Sequence, residues 1–461
     1  MTQQTIKIIS PIDGSVYAER TCATPEQIEA AVNRARAAQR AWAATGLTER
    51  TAALTRFTDA LLAMNDEIVP ELAWQMGRPV RYGGEKRGLE ERARYMISIA
   101  EEALAPLEKK DKPGFVRYIR REPLGLVLVI APWNYPFLTA INSIVPALIA
   151  GNAVLLKHAS QTLLVGERFQ KAADAAGLPE GLFCNIVMDH ESTEKLIASG
   201  RIDHISFTGS VEGGRRIERA AAGTFATLGL ELGGKDPAYV RRDCDLAYTV
   251  ENLVDGSFFN SGQSCCGIER IYVDAAIHDE FLERFVETAK GWTLGNPLDP
   301  DTVVGPMARA NFADLVRRQI DEAVRQGAVA HLDTKHPEDR EGSPYLAPQV
   351  LSNVNHQMSV MREESFGPVV GIMKVSGDEE AITLMNDSPY GLTASIWTKD
   401  LKAAARIGAR IETGTVFANR CDYLDPALVW TGVKDTGKGG ALSEIGYHNL
   451  TQPKSYHLKE V

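Results

Sequence analysis

A chain of 461 residues, 44% hydrophobic and 24% charged, is long enough for two or three separate cores, and its net charge of −10 lies along the chain with no basic stripe to suit nucleic acid. Its six cysteines follow no disulfide or zinc spacing, so no metal site is expected and the thiols read as reduced, in a cytoplasmic setting. MTQQTIKIIS has no basic-then-apolar leader, and the run LGLVLVIAP falls far short of the roughly 20 residues a membrane helix needs, so no membrane partner is expected.

Helical patterning fills residues 24–107. TPEQIEAAVNRARAAQRAW opens on a Thr cap, and LTERTAALTRFTDALLAMNDEIVPELAWQMG closes on Gly77 before Pro79. RYIRREPLG alternates basic and apolar residues, which predicts a strand exposed at a subunit edge. Short β-rich runs follow: LGLVLVIAP, NAVLLKHAS, FCNIVM, HISFTGS and TLGLELGG. Helical stretches such as TAINSIVPALIAG, QTLLVGERFQKAADAAG and ESTEKLIASG lie between them. Strands alternating with helices of that length predict a parallel, doubly wound α/β sheet. A second alternating region begins at RIYVD and runs through ADLVRRQIDEAVRQGA to VVGIMKV and TASIWTK. Two α/β domains joined near residues 233–236 are therefore expected, with the C-terminal LTQPKSYHLKEV pairing with another strand.

FFNSGQSCCGIER places Cys265 and Cys266 behind a polar, glycine-containing run and ahead of an apolar one. A sulfur at such a junction can be exposed, with backbone N–H groups nearby to stabilise a thiolate or an oxyanion. The residues themselves leave open which sulfur reacts. A thiol nucleophile needs a base and an oxyanion donor. LELGGKD offers Glu231 beside two glycines, and APWNYP offers Asn134 at the carboxyl end of a strand, where parallel sheets bind ligands. No GxGxxG follows any strand. FTGSVEGG instead closes a strand and opens a helix at Gly209 and Ser210, a place for phosphate, and Lys157 ends NAVLLKHAS.

In order along the chain, APWNYP, GNAVLLKHAS, FTGSVEGG, LELGGKDP, NSGQSCCG, EESFGPVVG and NDSPYGLTAS resemble the aldehyde dehydrogenase superfamily. The resemblance implies a Rossmann-like cofactor domain (1–105 and 123–233), an α/β catalytic domain (234–445) and a small β oligomerisation extension (106–122 and 446–461). It implies a homodimer or homotetramer acting on a small aldehyde with NADP or NAD. Position by position, Cys265 becomes the nucleophile, two residues after Gln263. Asn134, with the N–H of Cys265, holds the oxyanion, and Glu231 activates the water that releases the acid. Lys157 and position 160 take the adenosine ribose, and Ser210 with its neighbours takes the pyrophosphate. Glu364 takes the nicotinamide ribose, Phe366 lies beside the nicotinamide, and Trp133, Gly209 and Gly233 complete the cofactor site.

Three departures from the family's pattern stand out. Where relatives often carry a ribose-binding Glu, this chain has Ser160, which would not repel a 2′-phosphate and so predicts that NADP serves at least as well as NAD. Succinic semialdehyde dehydrogenases carry two arginines at positions occupied here by Asn142 and Phe259, which disfavours that substrate. The loop NRCDYLDPALVW should line the substrate mouth, Arg420 meeting an anionic or polar tail and Asp422 a cationic one, with Tyr135 and Phe259 forming the throat. A CoA-acylating enzyme, or a binding protein on the same scaffold, would be expected to lack Glu231 or another of the catalytic three.

Overall fold

Thr24 accepts a hydrogen bond from Gln27 N at 3.2 Å, and Gln27 Oε1 accepts one from Thr24 N at 2.8 Å. This reciprocal capping box starts the Pro25–Ala43 helix where the sequence predicts it. Helices Leu47–Ala63, Asn65–Met76 and Lys86–Ala103 follow. Asn65–Met76 stops at Gly77, whose φ is +82°, and a Cβ there would lie 2.3 Å from the Pro306 carbonyl oxygen. The computed structural model describes residues 4–333 and 336–461. An N-terminal hairpin, Thr5–Ile9 with Val16–Thr21, is one element that the periodic patterns did not announce.

Five parallel strands build the first sheet: Leu126–Ala131, Ala153–His158, Phe183–Asn185, His204–Thr208 and Thr227–Glu231. The first two are buried at every position, as expected for strands covered by helices on both faces. Leu126–Ala131 and His204–Thr208 are neighbours, the first leading on to Ala153–His158 and the second to Thr227–Glu231. The winding reverses between them, so their carboxyl ends splay apart into a crevice. Pro132–Trp133–Asn134 leave one side of it and Gly209–Ser210 the other.

The second sheet has seven strands, in the order Val329–Ala330, Gln349–Ser352, Val369–Val375, Ile268–Asp274, Asp236–Val240, Thr393–Trp397 and Thr415–Ala418. All pair in parallel except Val329–Ala330 at one edge. Late in the chain, Gly437–Lys438 returns to the first sheet and pairs antiparallel with Leu230 and Glu231. Trp430, Leu442, Tyr447 and Leu450 join the core beneath that sheet. The two sheets are thus tied by a second crossing as well as by residues 233–236.

A third, antiparallel sheet stands apart. Thr451–Lys459 pairs along its whole length with Phe115–Pro123, from Thr451 opposite Pro123 to Lys459 opposite Phe115, and Leu107–Glu108 covers the other side. RYIRREPLG does form a strand, though it is the central, mostly half-buried one of this sheet and not its edge, and the C-terminal segment is paired as expected. Among the described residues, no helix is long and apolar enough to cross a membrane, and no group of three or more His, Cys, Asp or Glu could hold a metal ion.

Candidate functional site

The helix Leu246–Phe258 ends in a turn where Asn260 and Ser261 adopt φ of 54° and 58°. Non-glycine residues held in this region cost free energy and persist only where their surroundings fix them. Here Asn260 is locked from both sides. Its Oδ1 accepts from Arg78 Nε at 3.2 Å, and its Nδ2 donates to the carbonyls of Asn134 and Gln263, both at 3.2 Å. Gly262 follows with φ +69°, and a Cβ there would lie 2.3 Å from the Gly367 carbonyl oxygen. The turn delivers Cys265 just before the Ile268–Asp274 strand, at the edge facing the crevice of the first sheet.

Two cavities meet at that sulfur. One, about 300 Å³, is lined by Trp133, Asn134, Gly209, Ser210, Gly233, Glu364 and Phe366 together with Glu231 and Cys265. The other, about 510 Å³, is lined by Tyr135, Asn142, Phe259 and Asp422, again with Glu231 and Cys265. Cys265 and Glu231 therefore stand on the partition between two compartments.

Asn134 is 5% exposed, and its Nδ2 spends one hydrogen on Gln263 O at 3.2 Å, leaving the second available. Its carbonyl is held by Arg78 Nη2 at 2.6 Å. Arg78 in turn pairs with the buried Glu85, whose other oxygen caps the Pro136–Ile149 helix through the N–H groups of Phe137 and Leu138. Sequence reasoning missed Arg78, Glu85 and Asn260. Arg78, between Gly77 and Pro79, and Glu85, after Gly84, read as ordinary charged residues of a surface loop, and Asn260 as one of several polar residues before the cysteines.

Glu231 accepts from Thr208 Oγ1 at 3.2 Å, and burial raises its carboxyl to about 7. Glu364 is also desolvated, raised to about 8, and accepts from Gly234 N at 2.9 Å. A Cβ on Gly233 would come 2.4 Å from Glu364 Oε2, so glycine is required for the carboxyl to reach the cavity. Phe366 meets Trp133 edge-on at 5.6 Å, and Phe312, absent from the sequence reading, stacks on Trp133 at 5.5 Å. Ser210 caps the Val211–Ala221 helix, accepting from Gly213 N at 3.2 Å.

Cys266 is buried. Its Sγ donates to Asp422 Oδ1 at 3.0 Å, and its thiol is pushed far up by the contact with Cys265 and by burial. Asp422 also accepts from Ser264 Oγ at 2.7 Å, so this carboxylate braces the loop that carries Cys265 as well as lining the cavity. Tyr135 lies under the Arg78 guanidinium at 4.8 Å, and Phe259 meets Tyr82 edge-on. Three of the residues named from sequence do not line either cavity. Arg420 is exposed, with its guanidinium on the Tyr423 ring at 3.4 Å. Lys157 is buried, and Ser160 lies beside Arg309, whose Nη2 is 3.3 Å from its Oγ. His158 is fully enclosed, contacting Pro136 O at 3.3 Å and Thr162 Oγ1 at 3.2 Å.

The model of the aldehyde dehydrogenase family matches residues 1–456. The chain belongs to the aldehyde dehydrogenase family. It is 34% identical over 447 residues to a succinate semialdehyde dehydrogenase [NAD(P)+] of Escherichia coli (strain K12), covering 96% of this chain and 95% of the relative. It is 36% identical over 364 residues to a betaine aldehyde dehydrogenase of Bacillus subtilis (strain 168), covering 78% and 74%. Among solved structures, the NADP-dependent glyceraldehyde-3-phosphate dehydrogenase of Bacillus halodurans C-125, complexed with NADP, superposes with a TM-score of 0.94 at 32% identity, covering 99% of this chain and 96% of that one. As a family member, this enzyme is an NAD(P)-dependent oxidoreductase acting on aldehydes.

Proposed function

We propose that this aldehyde dehydrogenase oxidises its substrate through a thioester on Cys265, which water activated by Glu231 then hydrolyses. The observation that carries the reading is the position of Cys265 and Glu231 on the partition between the two cavities, with Asn134 beside them. The larger cavity takes the aldehyde. The smaller fits a nicotinamide: aromatic walls from Trp133 and Phe366, a carboxyl at Glu364 to accept ribose hydroxyls, and a helix N-terminus at Ser210 for phosphate.

The Cys265 sulfur attacks the aldehyde carbon, and the second hydrogen of Asn134 Nδ2 and the Cys265 N–H stabilise the resulting alkoxide. Trp133, Phe366 and Glu364 would hold a nicotinamide against that carbon, and it would supply the hydride acceptor. Glu231 takes a proton from water as its oxygen attacks the thioester, and the C–S bond breaks to return the thiolate and release the acid. Glu231 also speaks against CoA transfer, since a thiol acceptor does not need water activation. Lys157 and Ser160 are proposed for the adenosine ribose. Arg309 sets a positive charge beside the Ser160 hydroxyl, which supports the use of NADP.

The test is a pair of variants. Cys265→Ser should lose at least about 10³-fold in kcat, while Cys266→Ser should keep most of its turnover. Reversed outcomes would move the nucleophile by one residue.

A further inference from the structure

The helix Lys86–Ala103 turns Leu89, Ala93, Met96 and Ala100 into the core, a three- and four-residue spacing that makes one apolar face. Arg92 falls on that same face. It is 8% exposed, reaches across to the Pro136–Ile149 helix, and lines the larger of the two cavities at Cys265. A buried charge ordinarily has a counter-charge, because water no longer solvates it. Among the described residues, no carboxylate forms an ion pair with Arg92.

Its Nη1 spends both hydrogens on the protein, one on Leu138 O at 3.0 Å and one on Asn142 Oδ1 at 3.4 Å. The other edge, Nε with Nη2, meets no acceptor among the described residues, and neither atom is sealed off from the cavity. That edge is the fork that receives a carboxylate through two parallel N–H···O bonds. The carboxylate whose charge acts most strongly on Arg92 is Glu85, already committed to Arg78 and to the N–H groups of Phe137 and Leu138. Acidic groups on the other walls of the cavity have less need of a partner. Asp422 accepts from Ser264 and Cys266, Glu91 accepts from the Tyr423 hydroxyl, and Asp255 is exposed to water.

We propose that the free edge of Arg92 binds the tail of the substrate, and that the aldehydes this enzyme prefers carry a carboxylate at the end remote from the carbonyl. The inference rests on the reading of Cys265 as the nucleophile with the aldehyde in the larger cavity. Asn142 and Phe259 stand where succinic semialdehyde dehydrogenases carry arginine, so the charge those two positions lack comes here from a different helix. That removes the ground for disfavouring an acid-tailed substrate. Asn142 acts as a brace, its carbonyl oxygen holding Nη1 so that the Nε–Nη2 edge stays open. The fork fixes one end of the chain and leaves the aldehyde end for Cys265.

The test compares kcat/KM for succinic and glutaric semialdehydes with kcat/KM for their methyl esters, which keep the chain and lose the charge. For at least one length the acid should exceed its ester about tenfold or more in the parent enzyme. Arg92→Gln should bring that ratio close to unity, and Arg92→Lys should restore part of it. General damage to the fold, or an altered charge at Glu231, acts on acid and ester alike and cancels in the ratio. If Arg92→Gln does not fold, Asn142→Asp sets a carboxylate against the guanidinium and should lower the ratio in the same way. Esters turned over by the parent as well as both acids, or a ratio that these variants leave unmoved, overturn the proposal. So does a trimethylammonium aldehyde of the same length preferred over the acids, which would assign the tail to Asp255 and Asp422. Failure of the underlying reading shows separately, as turnover of these aldehydes that survives Cys265→Ser.

Discussion

Glu231 shows how surroundings change what an ordinary carboxyl can do. Burial holds the Glu231 carboxyl at about 7, so at neutral pH it is present in both forms and can take a proton from water. The carboxylate is the active form. Deacylation should therefore fall about tenfold per pH unit below 7 and level off above it, a profile that stopped-flow measurement of acyl-enzyme decay will show. A profile centred near the ordinary carboxylate range would remove Glu231 from the base role. At Ser160 the argument is one of charge. Ser160→Glu adds a carboxylate where a 2′-phosphate is expected, so kcat/KM for NADP should drop at least about tenfold relative to NAD. An unchanged ratio would mean that the phosphate is read elsewhere.

At the scale of elements, the loop that carries Cys265 is held in shape by distant contacts. Asn260, Ser261 and Gly262 all take left-handed conformations, held by Arg78 and by the close approach of the Gly367 carbonyl. Gly262→Ala forces a Cβ into that carbonyl and adds backbone strain, a cost of roughly 1–3 kcal/mol. Thermal unfolding should shift down, and kcat should fall further than KM changes, because the displaced group is the loop that presents Cys265. The capping box at Thr24, the stop at Gly77 and the alternating strands were all legible, since each depends on neighbours close in sequence. The roles of Arg78 and Glu85 were not, because Arg78 meets Asn134 and Asn260, 56 and 182 residues away, and Glu85 caps Phe137 and Leu138, 52 and 53 residues away.

For the whole molecule, the Thr451–Lys459 strand is a long element without a complete partner. It pairs with Phe115–Pro123 on one side and stands at the edge of its sheet on the other. Nine residues of open edge form a ready template for another chain, which supports the proposed homo-oligomer. Deleting residues 451–461 should shift the sedimentation coefficient to that of a smaller species, and an unchanged value would place the subunit contact elsewhere. The same late stretch of chain, by returning Gly437–Lys438 to Leu230 and Glu231, ties the first sheet to the second a second time.

The sequence by itself determined the periodic elements, the α/β class and the family resemblance, and through that the candidate trio Cys265, Glu231 and Asn134. Each of these is written in local spacing or in a short motif. Tertiary structure alone decided that Asp422 braces Cys266 and Ser264, that Arg420 lies on Tyr423 outside the cavities, and that His158 is enclosed. It alone placed Glu231 where two cavities meet. The reason is physical: a side chain's task is set by the dielectric and the partners around it, and the packing of distant segments supplies both.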